Sequence, residues 1–165
     1  MRASTATARA LDPAARRQHA LDLAYGYLSR RDRTVLEVQH YLEGKKVDPE
    51  LIDDALRTLR EQGYLDDARY AQRFCEDRRE LDSWGSERIE RRLRAAGVTE
   101  REVAAALDGA GAHDEIEAAL ALLRRRFPIA PADDRARTRA LGILVRRGYE
   151  LELAHDAIRR FEREG

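Results

Sequence analysis

The chain of 165 residues has one cysteine, four prolines, no asparagine and only 6% aromatic residues. Each shortage excludes something. Cys75 has no partner within the chain, so no intramolecular disulfide can form and a reducing compartment, the cytoplasm, is expected. Few prolines and almost no β-branched runs leave long stretches free for helix. Scarce aromatics beside 38% charged residues argue against one dense globular core. The apolar runs fall far short of the ~20 residues of a membrane span, so no membrane partner is expected. Basic and acidic residues number 31 each, giving no net charge, which excludes a protein that coats nucleic acid by charge alone. Arg2 and Arg9 stand among Ser, Thr and Ala without the apolar core of a secretory signal; residues 1–14 read as a disordered tail.

What the chain has in abundance is Leu, Ala, Arg and Glu, all strong helix formers, and the expected class is all-α. Nine helices can be read. The first spans about Ala15–Arg30 with Leu21, Ala24, Tyr25 and Leu28 on one face. Thr34 and Glu37, then Thr99 and Glu102, have capping-box spacing and start the second and sixth helices. Asp48-Pro49 is a cap residue followed by proline at the first helical position, and starts the third. Gly63, Gly97 and Gly148 stop helices, as residues that tolerate left-handed backbone. The fourth helix covers about Asp67–Leu81 and the fifth starts at Ser86. The seventh covers about Asp114–Phe127, and the eighth follows Ala132 or Asp133 and precedes the ninth.

An internal register links these helices. Leu42, Leu93 and Leu144 are spaced 51 residues apart, as are Val47, Val98 and Tyr149, then Ala55, Ala106 and Ala157, then Leu56, Leu107 and Ile158. Gly97 and Gly148 share that register; Lys46 takes the place in the first repeat, just after Gly44. The chain therefore reads as three tandem three-helix repeats, over 15–64, 65–109 and 110–165. So small a unit buries little by itself, so neighbours should stack into an elongated, curved body with a large surface, suited to an extended partner.

Chemistry-bearing constellations are missing. His19, His40, His113 and His155 have no ligand spacing, so no metal site is expected. There is no glycine-rich phosphate loop and no Ser/His/Asp set, so neither a cofactor nor an enzymatic activity is expected. Asp66 and Asp67 resemble paired catalytic carboxylates but read better as helix caps, with Tyr70 packing inward and Cys75 in the core.

Two runs of residues carry a resemblance. Gly63-Tyr64-Leu65-Asp66-Asp67-Ala68-Arg69-Tyr70-Ala71 resembles the G-x-L-D-D-x-x-Y-A signature of the RecX family. Trp84-Gly85-Ser86-Glu87-Arg88-Ile89-Glu90-Arg91-Arg92-Leu93-Arg94-Ala95-Ala96-Gly97-Val98 resembles that family's G-x-x-R-I-x-x-x-L-x-x-x-G-[IV] run, and Leu144–Tyr149 repeats it loosely. The likeness spans about residues 16–162, with Lys46 departing from the usual glycine. It implies a cytoplasmic, non-catalytic regulator that lies along the RecA–DNA filament and hinders its extension, damping recombination, DNA repair and the SOS response.

Under that resemblance the arginines become candidate partner contacts: Arg88, Arg91 and Arg92 on helix five, Arg124 and Arg125 ending helix seven, and Arg135, Arg139, Arg146 and Arg147 on helix eight. Many would serve equally as solvated faces with pairs one turn apart. The C-terminal series is denser than its sequence-local acids can pair: residues 123–165 hold eleven basic and seven acidic groups. It could meet an acidic RecA surface or the phosphates of single- or double-stranded DNA. Trp84 is either an inter-repeat packing residue or an exposed anchor. The rival reading is a helix-turn-helix-like DNA-binding module, weakened by the absence of the base-reading residue Asn and by zero net charge. A monomer is expected.

Overall fold

The computed structural model describes residues 12–109 and 112–164, apart from the side chains of 112 and 113. The expected tail therefore lies outside the described residues as far as residue 11, as does the side chain of His113. Nine helices and no strands occur among the described residues: α1 Pro13–Leu28, α2 Val35–Gly44, α3 Pro49–Glu61, α4 Asp67–Asp82, α5 Ser86–Ala95, α6 Glu100–Asp108, α7 Ala112–Arg126, α8 Asp134–Arg147 and α9 Leu151–Glu164. The class is all-α, as the composition implied.

The caps explain most boundaries. Both capping boxes form, Thr34 with Glu37 and Thr99 with Glu102, each satisfying two otherwise free N–H groups. α1 departs from expectation in where it starts, and α3 in how it is capped. α1 starts two residues early because the Asp12 carboxylate accepts from the Ala14 and Ala15 amides at 2.8 and 3.0 Å, with Pro13 at the first position. Asp48 stands at the cap position of α3 but makes no side-chain cap bond; Arg16 claims its carboxylate instead.

The second helix of each group ends in the same turn. Val47, Val98 and Tyr149 each donate an amide five residues back, to Leu42, Leu93 and Leu144, at 3.1–3.2 Å. The residue just before each is left-handed: Lys46 at φ 63°, Gly97 at 85° and Gly148 at 89°. This is the structural form of the 51-residue register.

The chain divides into two compact units, Met1–Tyr70 and Ala71–Gly165. In the first, α1, α2 and α3 close over Ala20, Leu21, Ala24, Val38, Leu42, Ile52, Ala55, Leu56, Leu59 and Leu65. In the second, α7, α8 and α9 enclose Ala119, Leu120, Leu123, Ala140, Leu144, Tyr149, Ala154, Ala157 and Ile158. Ala71, Cys75, Ile89, Leu93, Val98 and Val103 are also buried there, while Ala106 and Leu107, expected inside, are half-buried. Burial pushes the Cys75 thiol pKa upward, which keeps it protonated as a small core residue.

Candidate partner-binding surface

The second unit contains a close backbone junction that holds three of the candidate arginines, Arg88, Arg125 and Arg147. The segment Ser83-Trp84-Gly85 joins α4 to α5 and meets the α8–α9 turn. Gly85 donates its amide to the Arg147 carbonyl at 2.8 Å, and Glu87 donates to the Gly148 carbonyl at 3.0 Å. Two glycines make this approach possible. A Cβ on Gly85 would lie 2.4 Å from the Gly148 carbonyl carbon, and one on Gly148 would lie 2.2 Å from the Arg88 Cβ.

Glycine at 85 has a cost, since it brings no side chain to cap α5. Glu115 of α7 supplies the missing acceptor: it takes the Ser86 amide and the Ser86 hydroxyl, both at 2.7 Å. A carboxylate at a helix N-terminus is also favoured by the helix dipole. Ser83 is nearly buried at φ 53°, an unusual backbone for a residue with a Cβ. It is held from two sides, the Tyr149 hydroxyl donating to its carbonyl at 3.1 Å and Arg125 Nη2 donating to its Oγ at 2.6 Å. Burial, with the nearby Glu115 charge, pushes the Tyr149 phenol up to about 12 against the opposing pull of Arg125, Arg147 and Arg79.

This junction sorts the candidates into two sets. Arg147 donates to the Asp82 carbonyl, and Arg125 is committed to Ser83. Arg88 donates to the Arg146 carbonyl at 3.1 Å and lies 4.1 Å over the Trp84 ring. Trp84 is half-buried, edge-on to Phe74 at 6.1 Å, with the Arg78 guanidinium 5.7 Å from its ring centroid. It packs against Phe74 and the Arg88 guanidinium. Arg124 grips Glu164 through two nitrogens, at 3.0 and 2.6 Å, which raises its pKa further. These four arginines are committed to bonds within the fold.

Arg91, Arg92, Arg135, Arg139 and Arg146 form the other set: exposed, with no side-chain ion pair among the described residues. The spacing of 135, 139 and 146 places the last three on one stripe of α8. Gly142 lies between them on the same stripe. A Cβ there would be 3.0 Å from Arg146 Nη1, so the absent side chain lets that guanidinium lie back along the helix. Arg137, on another face, pairs with Asp134 at 3.0 Å and with Glu162 of α9 at 2.6 Å. Glu162 and Glu164 are distant in sequence, and α9 brings them back to α8 and α7.

No group of three or more potential metal ligands occurs among the described residues. No helix among them is long and apolar enough to cross a membrane.

A three-helix group that recurs along the chain, with exposed arginines on α5 and α8, defines an all-helical protein. The comparisons with known proteins make this specific. Residues 20–59 match the model of the RecX first three-helix domain, and residues 66–107 that of the second. Regulatory protein RecX of Pseudomonas savastanoi pv. phaseolicola is 35% identical over 142 residues, covering 86% of this chain and 88% of the relative. That of Thermobifida fusca is 33% identical over 142 residues, covering 84% and 76%. The crystal structure of RecX from Lactobacillus salivarius has a TM-score of 0.79 at 18% identity, covering 88% of this chain and 96% of that one. The chain belongs to the RecX family.

Proposed function

We propose that this protein binds the RecA recombinase filament and opposes its extension, acting without catalysis or cofactor, as a cytoplasmic monomer. The observation that carries the reading is membership of a family whose curated members are named regulatory proteins, supported over most of the chain. The helical repeats, taken as 15–64, 65–109 and 110–165, would serve as the scaffold. Arg91, Arg92, Arg135, Arg139 and Arg146 would be the contacts, because each is exposed and spends nothing on an internal ion pair. An acidic partner recovers the mutual repulsion of charges aligned on one helix. Arg88, Arg124, Arg125, Arg147 and Trp84 would support that surface from behind, through the bonds described above.

The test is a titration of the protein onto RecA assembled on single-stranded DNA, with RecA alone and DNA alone beside it. RecA ATPase and strand exchange should fall at ratios at or below one regulator per RecA. Replacing Arg135, Arg139 and Arg146 together by Ala should weaken binding and flatten its salt dependence. Melting should be nearly unchanged, since each surface change costs about 0.5 kcal/mol or less. Unaltered RecA activity across the titration rejects the proposal. Binding to bare DNA alone favours the helix-turn-helix reading.

A further inference from the structure

The common turn gives three versions of one pair of positions: the residue three before the left-handed one, and the residue three after it. In the second group these are Arg94 and Glu100, which pair across the turn at 3.6 Å. In the first group they are Glu43 and Pro49, which line one hollow together with Lys46 and Asp53. Both cases show that the two positions face each other in this turn. In the third group the pair is Val145 and Leu151, and both are left in the open, 44% and 54% exposed.

The other groups each carry charge at these positions, Glu43 in the first and Arg94 with Glu100 in the second; only the third is apolar at both, at the end of α8, the helix of Arg135, Arg139 and Arg146. We propose that Val145 and Leu151 are the apolar centre of a docking point for a protein partner that presents an apolar side chain with carboxylates beside it. Arg146 follows Val145 directly, and Arg139 lies on the same stripe two turns back; neither has an acidic partner among the described residues. A partner's carboxylates would pair with them at the rim, while its apolar side chain covers the centre and excludes water. A nucleic-acid backbone fits poorly. It has no apolar side chain to cover Val145 and Leu151, which are 44% and 54% exposed.

This inference rests on the RecA reading and sharpens it, assigning the α8–α9 turn to RecA protein and not to the DNA inside the filament. The experiment transplants the second group's pair into the third. The double variant Val145→Arg/Leu151→Glu installs a pair that this turn already accommodates at Arg94 and Glu100. The variant Val145→Ser/Leu151→Ser removes the apolar surface without adding charge. Both are compared with the parent for helicity, melting, and affinity for RecA assembled on single-stranded DNA. At least a tenfold loss of affinity in a variant that melts like the parent is expected, with binding to bare single-stranded DNA unchanged. Should the parent bind the filament and a folded variant bind it equally well, the docking point is wrong and the RecA reading stands. A parent that binds no RecA filament overturns both.

Discussion

Lys46 and Gly148 end equivalent helices, one in each compact unit, and the chain turns through the same hydrogen bonds at both. Their surroundings differ. Lys46 holds φ 63° in the open, with its side chain exposed, whereas Gly148 at φ 89° is buried against the Arg88 backbone. A left-handed residue at this turn does not by itself demand glycine; a neighbour within van der Waals reach does. The glycine in the second unit therefore reports a packed junction, and the lysine in the first reports its absence at that face.

Breaking this contrast should give the largest effect. In Gly148→Ala, the left-handed backbone costs about 1 kcal/mol, and forcing Arg88 away adds about 2 kcal/mol as overpacking. Denaturant unfolding should show a loss of about 3 kcal/mol in all. Lys46→Gly should instead be neutral or gain at most about 1 kcal/mol, because it relieves the same conformation where nothing else is in the way. Equal losses at the two positions would remove the distinction drawn here.

Next in size is a dependence on alkaline pH. Val47 fills in the first unit the place that Tyr149 fills in the second, so only the second brings a buried phenol to this turn. The Tyr149 pKa is raised to about 12 in the folded protein, against about 10 when unfolded. Between those values the folded state keeps a proton that the unfolded state releases. The stabilisation is complete below pH ~10 and is lost as pH rises through ~12, by about 2.7 kcal/mol in total. Urea unfolding from pH 8 upward should show this decline, and Tyr149→Phe should remove that part of the slope.

The smallest effect concerns another matched pair. In the first unit Arg33 lies 4.1 Å over the Tyr27 ring; in the second, 51 residues on, Arg78 lies 5.7 Å from the Trp84 ring. The cation and the ring have exchanged places. Double-mutant cycles should give both pairs a coupling of about 0.5–1 kcal/mol, the first larger for its shorter distance. A coupling near zero in one unit would mean that only the register, and not the contact, is shared.

The helices were legible in the sequence because their start and stop signals are local: Thr34 with Glu37, Thr99 with Glu102, Gly63 and Gly148. Asp12-Pro13 carries the same signature as Asp48-Pro49, yet only the second is followed at once by an apolar face, which is what makes a cap legible. Asp48 shows the limit of such signals, because Arg16, distant in sequence, competes for the same carboxylate. The candidate surface was harder to read. An arginine is free or committed according to groups that the fold delivers: Glu164 for Arg124, Ser83 for Arg125, the Asp82 carbonyl for Arg147. Main-chain acceptors leave no mark in a sequence at all. The exposure of Val145 and Leu151 was equally hidden, since apolar residues beside a helix end read as core until their neighbours are known.

Gly85 buys its close approach to Gly148 by giving up the cap that Glu115 then provides from α7. In α8 the cap is its own Asp133, which accepts from the Ala136 amide at 2.7 Å. The helical groups are therefore not interchangeable beads. A designer who excised α7–α9, or reordered the groups, would leave the Ser86 amide without its acceptor, whereas α8 could be moved with its cap intact. The order of the groups is written into which helix start depends on a later segment and which does not.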